Sequence, residues 1–267
     1  MSLHAQLEAD VRAAGSEPAL IAVIDGKPVV GVSTCQLQAL LASGNVPKAN
    51  TSNVGVLLAA GKNAATTVST TMELAAGAGV RVFATGGLGG VHQGWSSHLD
   101  ISSDLAALTR FPVAVVCSGV KSILDVAATR EALETLGIPV VGFATDLFPA
   151  FYQRHLAGST PPRVDARFDD VASLARFVSL ELARTGRGIV VCNPIPEADE
   201  IPHHEFEGLK SRALALAQEA GATGRDATPF VLSRLHSLSQ GRTLRANIAL
   251  VRSNARLAGA LAAAMGS

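Results

Sequence analysis

Five short, almost wholly apolar runs, at residues 19–24, 80–84, 113–117, 139–143 and 189–192, recur along the chain with helical patterns between them. A strand that is apolar at successive positions must be covered on both faces. Its alternation with amphipathic helices predicts a mainly parallel sheet with helices packed on either side. In the segment ALIAVIDGKPVVGVS, Asp25-Gly26 separates two apolar stretches, which predicts a type I′ hairpin near the start and makes the sheet mixed. Apolar residues at three and four spacing predict helices over 169–185 and 203–220, and Thr228-Pro229 opens a further one. Gly158, Ser159, Thr160, Pro161 and Pro162 mark 155–165 as an irregular surface segment.

With 267 residues and no internal repeat or linker, the chain reads as one domain, 1–267. Lys plus Arg and Asp plus Glu both total 22, so no basic excess points to nucleic acid or an anionic membrane. Any phosphate it binds is expected to be small and held locally. The chain has no unbroken apolar run of about 18 residues, which argues against a membrane span. The start carries Glu8, Asp10 and Arg12 where a signal peptide would be apolar, so a cytoplasmic location is expected. Cys35, Cys117 and Cys192 form no CxxC pair and read as reduced core residues.

Three generic motifs are approached and missed. Around Lys62, GVLLAAGKNAATT puts five residues rather than four between Gly55 and Gly61, and Asn63 stands where a P-loop needs Ser or Thr. In TGGLGGVH a dinucleotide fingerprint from Gly87 would need Gly at His92. His203-His204-Glu205 would need a second metal-binding His at Gly208, and reads as an exposed helix start.

Small and polar groups remain at the ends of the apolar strands, where open α/β sheets bind ligands: Thr85 to Gly90 after one strand, Ser118-Gly119 after another. Glycines there let main-chain N–H groups approach an anionic oxygen. In LDISSDL, Asp100 and Asp104 flank Ser102 and Ser103; the segment suits a helix cap with Ser103 as cap, or a hard-oxygen site for magnesium, manganese or a sugar hydroxyl. Lys121 follows PVAVVCSGV at the mouth of a buried strand, where an amine shielded from water can act as a nucleophile.

The strings AAGKNAATTVSTTM, VFATGGLGGVH, LDISSDL, VCSGVKSILD, ETLGIPVVGF, NPIPE, ATPFVL and NIALV stand in this order over nearly all of residues 5–262. In these the chain resembles the pseudouridine-5'-phosphate glycosidases, an indigoidine synthase A-like family also called pseudouridylate synthases. The resemblance implies a three-layer α/β/α fold with a mixed, mostly parallel sheet, assembled as a homotrimer. It implies reversible cleavage of the C-glycosidic bond of pseudouridine 5'-phosphate to uracil and ribose 5-phosphate. By the same resemblance Lys121 is the nucleophile that forms an imine with the opened sugar, and Asp100 carries a divalent metal, usually manganese in the family. Lys48, Val68, Ser102, Ser103, Asp104 and Asn247 fall on substrate-binding positions, and Thr85 and His92 on the lining of the same pocket. Two departures stand out. Nothing here matches the family's ESTIxxHGMP strand, whose Glu donates a proton, and KANTSNVG replaces a family stretch close to KxSRRDLP. A C-ribosylating enzyme acting on an aromatic natural product, and a catalytically silent sugar-phosphate-binding homologue, therefore stand as alternatives.

Overall fold

The computed structural model describes residues 2–44, 46–95, 99–157, 160–222 and 227–266. The chain opens with helix α1 (Leu3–Ala13) and the strands β1 (Ile21–Ile24) and β2 (Lys27–Val30). These strands pair antiparallel, and φ is 47° at Asp25 and 69° at Gly26, as a type I′ turn requires. The turn docks on the segment that imitates a P-loop: Gly26 N–H donates to the Lys62 carbonyl and Asp25 N–H to Asn63 Oδ1. GKN thus has a local structural use. After α2 (Thr34–Ala42) come β3 (Lys48–Ala49), α3 (Val54–Ala59) and β4 (Ala64–Thr66), which complete a four-stranded sheet in the order β2-β1-β4-β3.

From α4 (Val68–Gly77) onward strands and helices alternate except that β8 directly follows β7: β5 (Val82–Ala84), α5 (Ser103–Leu108), β6 (Ala114–Cys117), α6 (Val126–Thr135), β7 (Val140–Phe143), β8 (Ala166–Phe168), α7 (Val171–Thr185) and β9 (Ile189–Cys192). Three more helices follow, α8 (His203–Glu219), α9 (Ala227–Leu238) and α10 (Arg242–Gly266). The five later strands form a wholly parallel sheet in the order β5-β6-β9-β7-β8. The expected α/β architecture is present. Its antiparallel pairings sit in a sheet separate from the parallel one.

Strand periodicity explains the layers. On β6 and β9 every residue is buried, Val115, Cys117, Val190 and Cys192 facing one core and Ala114, Val116, Ile189 and Val191 the other. The first core is closed by Met72, Leu105, Leu133 and Phe206, the second by Leu174, Val178 and Leu182 of α7 with Leu257 and Leu261 of α10. Each fully buried leucine contributes roughly 1.5–3 kcal/mol, so α7 is held chiefly by its Leu174–Val178–Leu182 stripe. Its ends are marked in the sequence: Asp170 caps Ser173 N–H at 2.8 Å, and Gly186 stops the helix at φ 64°.

Three readings are corrected or narrowed. Cys35 is exposed on α2 rather than in the core, while Cys117 and Cys192 are buried. Ser102, not Ser103, caps α5, its Oγ accepting from Asp104 N–H at 3.2 Å. The described part of 155–165 is irregular as expected, and Gly158 and Ser159 lie outside the described residues.

Candidate active site

Beyond the ends of β5 and β6 three segments are stitched together through their main chains. Leu88 N–H donates to the Gly119 carbonyl at 2.9 Å and Lys121 N–H to the Leu88 carbonyl at 3.1 Å. Asp125 N–H reaches Val91, His92 N–H reaches Asp100 and Ser102 N–H reaches Gly90, all on carbonyl oxygens. Residues 88–92 therefore form a spine with the Lys121 turn on one side and the Asp100–Ser102 segment on the other. The turn needs glycine at 119, where φ is 73° and a Cβ would run into the Pro149 carbonyl.

Asp104 organises this junction. It is 3% exposed, and its Oδ1 accepts from Ser69 N–H at 2.9 Å while Oδ2 accepts from Gly89 N–H at 2.8 Å. A Cβ at Gly89 would collide with Asp104 Oδ2 at 2.7 Å, so only glycine admits the carboxylate. Two charge-assisted bonds to main-chain amides tie the loop after β5 to the first turn of α4. Hydroxyls gather at the same place: Thr67 Oγ1 lies 2.8 Å from Ser69 Oγ, which lies 3.0 Å from Ser103 Oγ.

The residues singled out in the sequence stand at the following places in the fold. Val68 is the buried first residue of α4, between the hydroxyl-bearing Thr67 and Ser69. Lys48 is exposed on β3, in register with Ala65 of the strand that leads to Thr67. Thr85 continues the ladder beyond β5, its N–H donating to Val116. Lys121 is half-buried beyond β6. Asn247 is half-buried on α10, one turn before Leu250 and Val251, which pack against Gly86. His92 Nδ1 lies 3.6 Å from Asp100 Oδ2, and the Asp100 side chain is 45% exposed. Among the described residues no three His, Cys, Asp or Glu side chains come together as a metal cage. Asp100 offers a single accessible carboxylate, which suits a hard cation that keeps most of its water, as magnesium and manganese do.

Sequence reasoning missed Ser69, Asn193 and Asn254. Asn254 is buried on α10 and bonds to Thr85, Ser118 and Asn193 beyond three strand ends. Nothing in a helical run around RSNARL distinguishes such a side chain from an exposed one, although Asn193 stands in the NPIPE string. An apolar cavity of about 540 Å³ lies elsewhere, between α1, β1, β5 and α10, with Leu7, Val11, Ile21, Phe83 and Ala258 in its walls. Lys121, Asp100 and Ser103 do not line it, so the candidate site is recognised by its chemistry rather than by volume.

A family model described as indigoidine synthase A like protein matches residues 1–264. A pseudouridine-5'-phosphate glycosidase of Nocardioides sp. is 45% identical over 262 residues, which cover 98% of this chain and 84% of that protein. A protein of the same name from Methylobacterium nodulans is 49% identical over 255 residues, 96% of this chain and 75% of that one. Among solved structures, the prealnumycin C-glycosynthase AlnA in complex with ribulose 5-phosphate superimposes with a TM-score of 0.89 at 35% identity, covering 98% of this chain and 86% of that chain. An indigoidine synthase A-like protein from Thermotoga maritima gives a TM-score of 0.87 at 39% identity over 97% and 85% of the two chains.

Proposed function

Since the chain belongs to the family of indigoidine synthase A like proteins, we propose that it cleaves pseudouridine 5'-phosphate reversibly to uracil and ribose 5-phosphate through an imine on Lys121. The observation that carries this reading is the position of Lys121, beyond a buried strand and bonded through its own N–H to the glycine-rich spine, in a chain aligned nearly end to end with proteins of that name.

The Lys121 amine forms a bond to C1′ of the ribose as the bond from C1′ to the ring oxygen breaks, and that oxygen takes the proton the nitrogen gives up, opening the sugar. The C1′–C5 bond then breaks: its electron pair passes to uracil C5, which takes up a proton, while the nitrogen lone pair forms C1′=N. Water hydrolyses the imine, releases ribose 5-phosphate and returns the amine. Ser102, Ser103 and Thr85 supply hydroxyls and main-chain groups for the opened sugar, and Val68 offers its backbone at the first turn of α4, where an anionic oxygen is favoured. Lys48 supplies positive charge for the phosphate, and Asn247 donor and acceptor groups for the base. Asp104 shapes the pocket through the two amides it holds. Asp100 would hold a divalent cation, manganese by preference, steadied by His92; such an ion supplies fixed positive charge beside the substrate. The protein is further proposed to work as a cytoplasmic, single-domain homotrimer, the homotrimer being the assembly that its family resemblance implies; among the described residues no helix is long and apolar enough to cross a membrane.

The test is intact-mass analysis after borohydride reduction in the presence of ribose 5-phosphate, with uracil release from pseudouridine 5'-phosphate followed in parallel. A trapped adduct absent from Lys121→Ala, and uracil release that needs manganese and is lost in Asp100→Ala, are expected. No adduct and no uracil would sink the reading. An adduct whose turnover ignores uracil and accepts another aromatic carbon nucleophile would transfer the chain to C-ribosylation; its structural neighbour AlnA is named a C-glycosynthase.

A further inference from the structure

We infer that Asn254 is a positioning residue for this reaction: from within α10 it clamps the chain where it leaves three neighbouring parallel strands, and so sets where Lys121 and the glycine-rich spine stand. The inference rests on the proposed role of Lys121. Asn254 has no exposure to solvent, and both ends of its amide are engaged. Nδ2 donates to the Thr85 carbonyl at 2.8 Å and to Ser118 Oγ at 3.1 Å, and Oδ1 accepts from Asn193 Nδ2 at 2.9 Å. The Thr85 carbonyl can only accept, which fixes which way the amide faces. Ser118 Oγ donates onward to the Asn193 carbonyl at 2.9 Å, and Asn193 Nδ2 also donates to Ser253 Oγ at 3.0 Å.

Thr85, Ser118 and Asn193 are the first residues after β5, β6 and β9. The parallel ladder runs on to these positions, with Thr85 N–H on Val116, Ser118 N–H on Gly86 and Asn193 N–H on Cys117, and there the strands diverge into loops. Asn254 joins the three ends there, through the main-chain carbonyl of Thr85 and the side chains of Ser118 and Asn193. A helix that had only to pack here would carry another leucine, as at Leu250, Leu257 and Leu261; a fully bonded amide in that row instead imposes one geometry. Ser118 is three residues from Lys121, so a change at its hydroxyl acts on the turn that aims the amine.

Amide hydrogen exchange and steady-state kinetics on the full chain test the inference with Asn254→Asp, which keeps the acceptor and loses both donors, and with Ser118→Ala, a milder change. Exchange in segments 85–91 and 118–122 is expected to quicken roughly tenfold while α7 and β8 keep the parent rates. In the same variants kcat should fall roughly tenfold for Asn254→Asp, and less for Ser118→Ala, with KM changed by no more than about threefold. Exchange that is unchanged in those segments, or quickened uniformly along the chain, overturns the inference, as does an unaltered kcat. If the parent protein neither traps ribose 5-phosphate nor releases uracil, the proposed reaction fails, and the exchange data alone then decide whether Asn254 sets these loops.

Discussion

At residue scale, three cysteines with no spacing pattern end in two environments. Cys117 and Cys192 are register partners on β6 and β9 and face the same core. Burial pushes the Cys117 thiol up to about 12 and raises Cys192 well above its ordinary value, so neither forms an appreciable thiolate near neutrality. Cys35 is exposed. A thiol reagent at neutral pH should therefore label one site in the native protein and three after denaturation; rapid labelling of two or more native thiols would contradict this. The same distinction governs the site. The type and order of residues pointed to Asp104 but not to its partners. The amides of Ser69 and Gly89 meet its carboxylate only once α4, α5 and the loop after β5 have packed.

Among the elements, α7 was legible from its apolar periodicity and its marked ends, Asp170 and Gly186, and α8 from its three-and-four spacing without a capping side chain. The 25-residue α10 was not. Its apolar and polar faces contrast as sharply as those of α7, yet a periodic face does not name what the helix joins, and its role appears there. It packs along α1, where Asp10 accepts from Arg252 Nε at 2.7 Å and Arg256 Nε at 3.0 Å. The Arg252 guanidinium, opposed in part by burial and helped by Arg256, holds the Asp10 carboxyl below the ordinary carboxylate range. A carboxyl whose folded pKa is depressed stabilises the fold above its unfolded value and loses that contribution as pH falls through the folded one. Asp10→Asn should thus lower stability by about 1 kcal/mol or less at neutral pH, and the gap between variant and parent should close as the pH drops below about 4. Thermal melts across pH check this, and a gap independent of pH would refute it. The strands β3, β4 and β8 escaped notice because two or three residues show no period.

On the scale of the whole molecule, the chain divides its strands between a four-stranded, largely antiparallel sheet and a five-stranded parallel one. The proposed homotrimer belongs to this level: light scattering of the purified chain should return three times its 27.4 kDa mass, and a monomer at micromolar concentration would reject the assembly. The sequence by itself determined the α/β class, the parallel core strands, the hairpin and the neighbourhood of Lys121. Each of these depends on apolar period, turn chemistry or ordered motifs, which are local along the chain. Only the tertiary structure decided the two-sheet division, the bonds that Asp104 and Asn254 make, and which cysteines are buried. Those depend on strand pairing and on hydrogen bonds between residues 15 to 169 positions apart, whose partners are chosen by packing that no local pattern encodes.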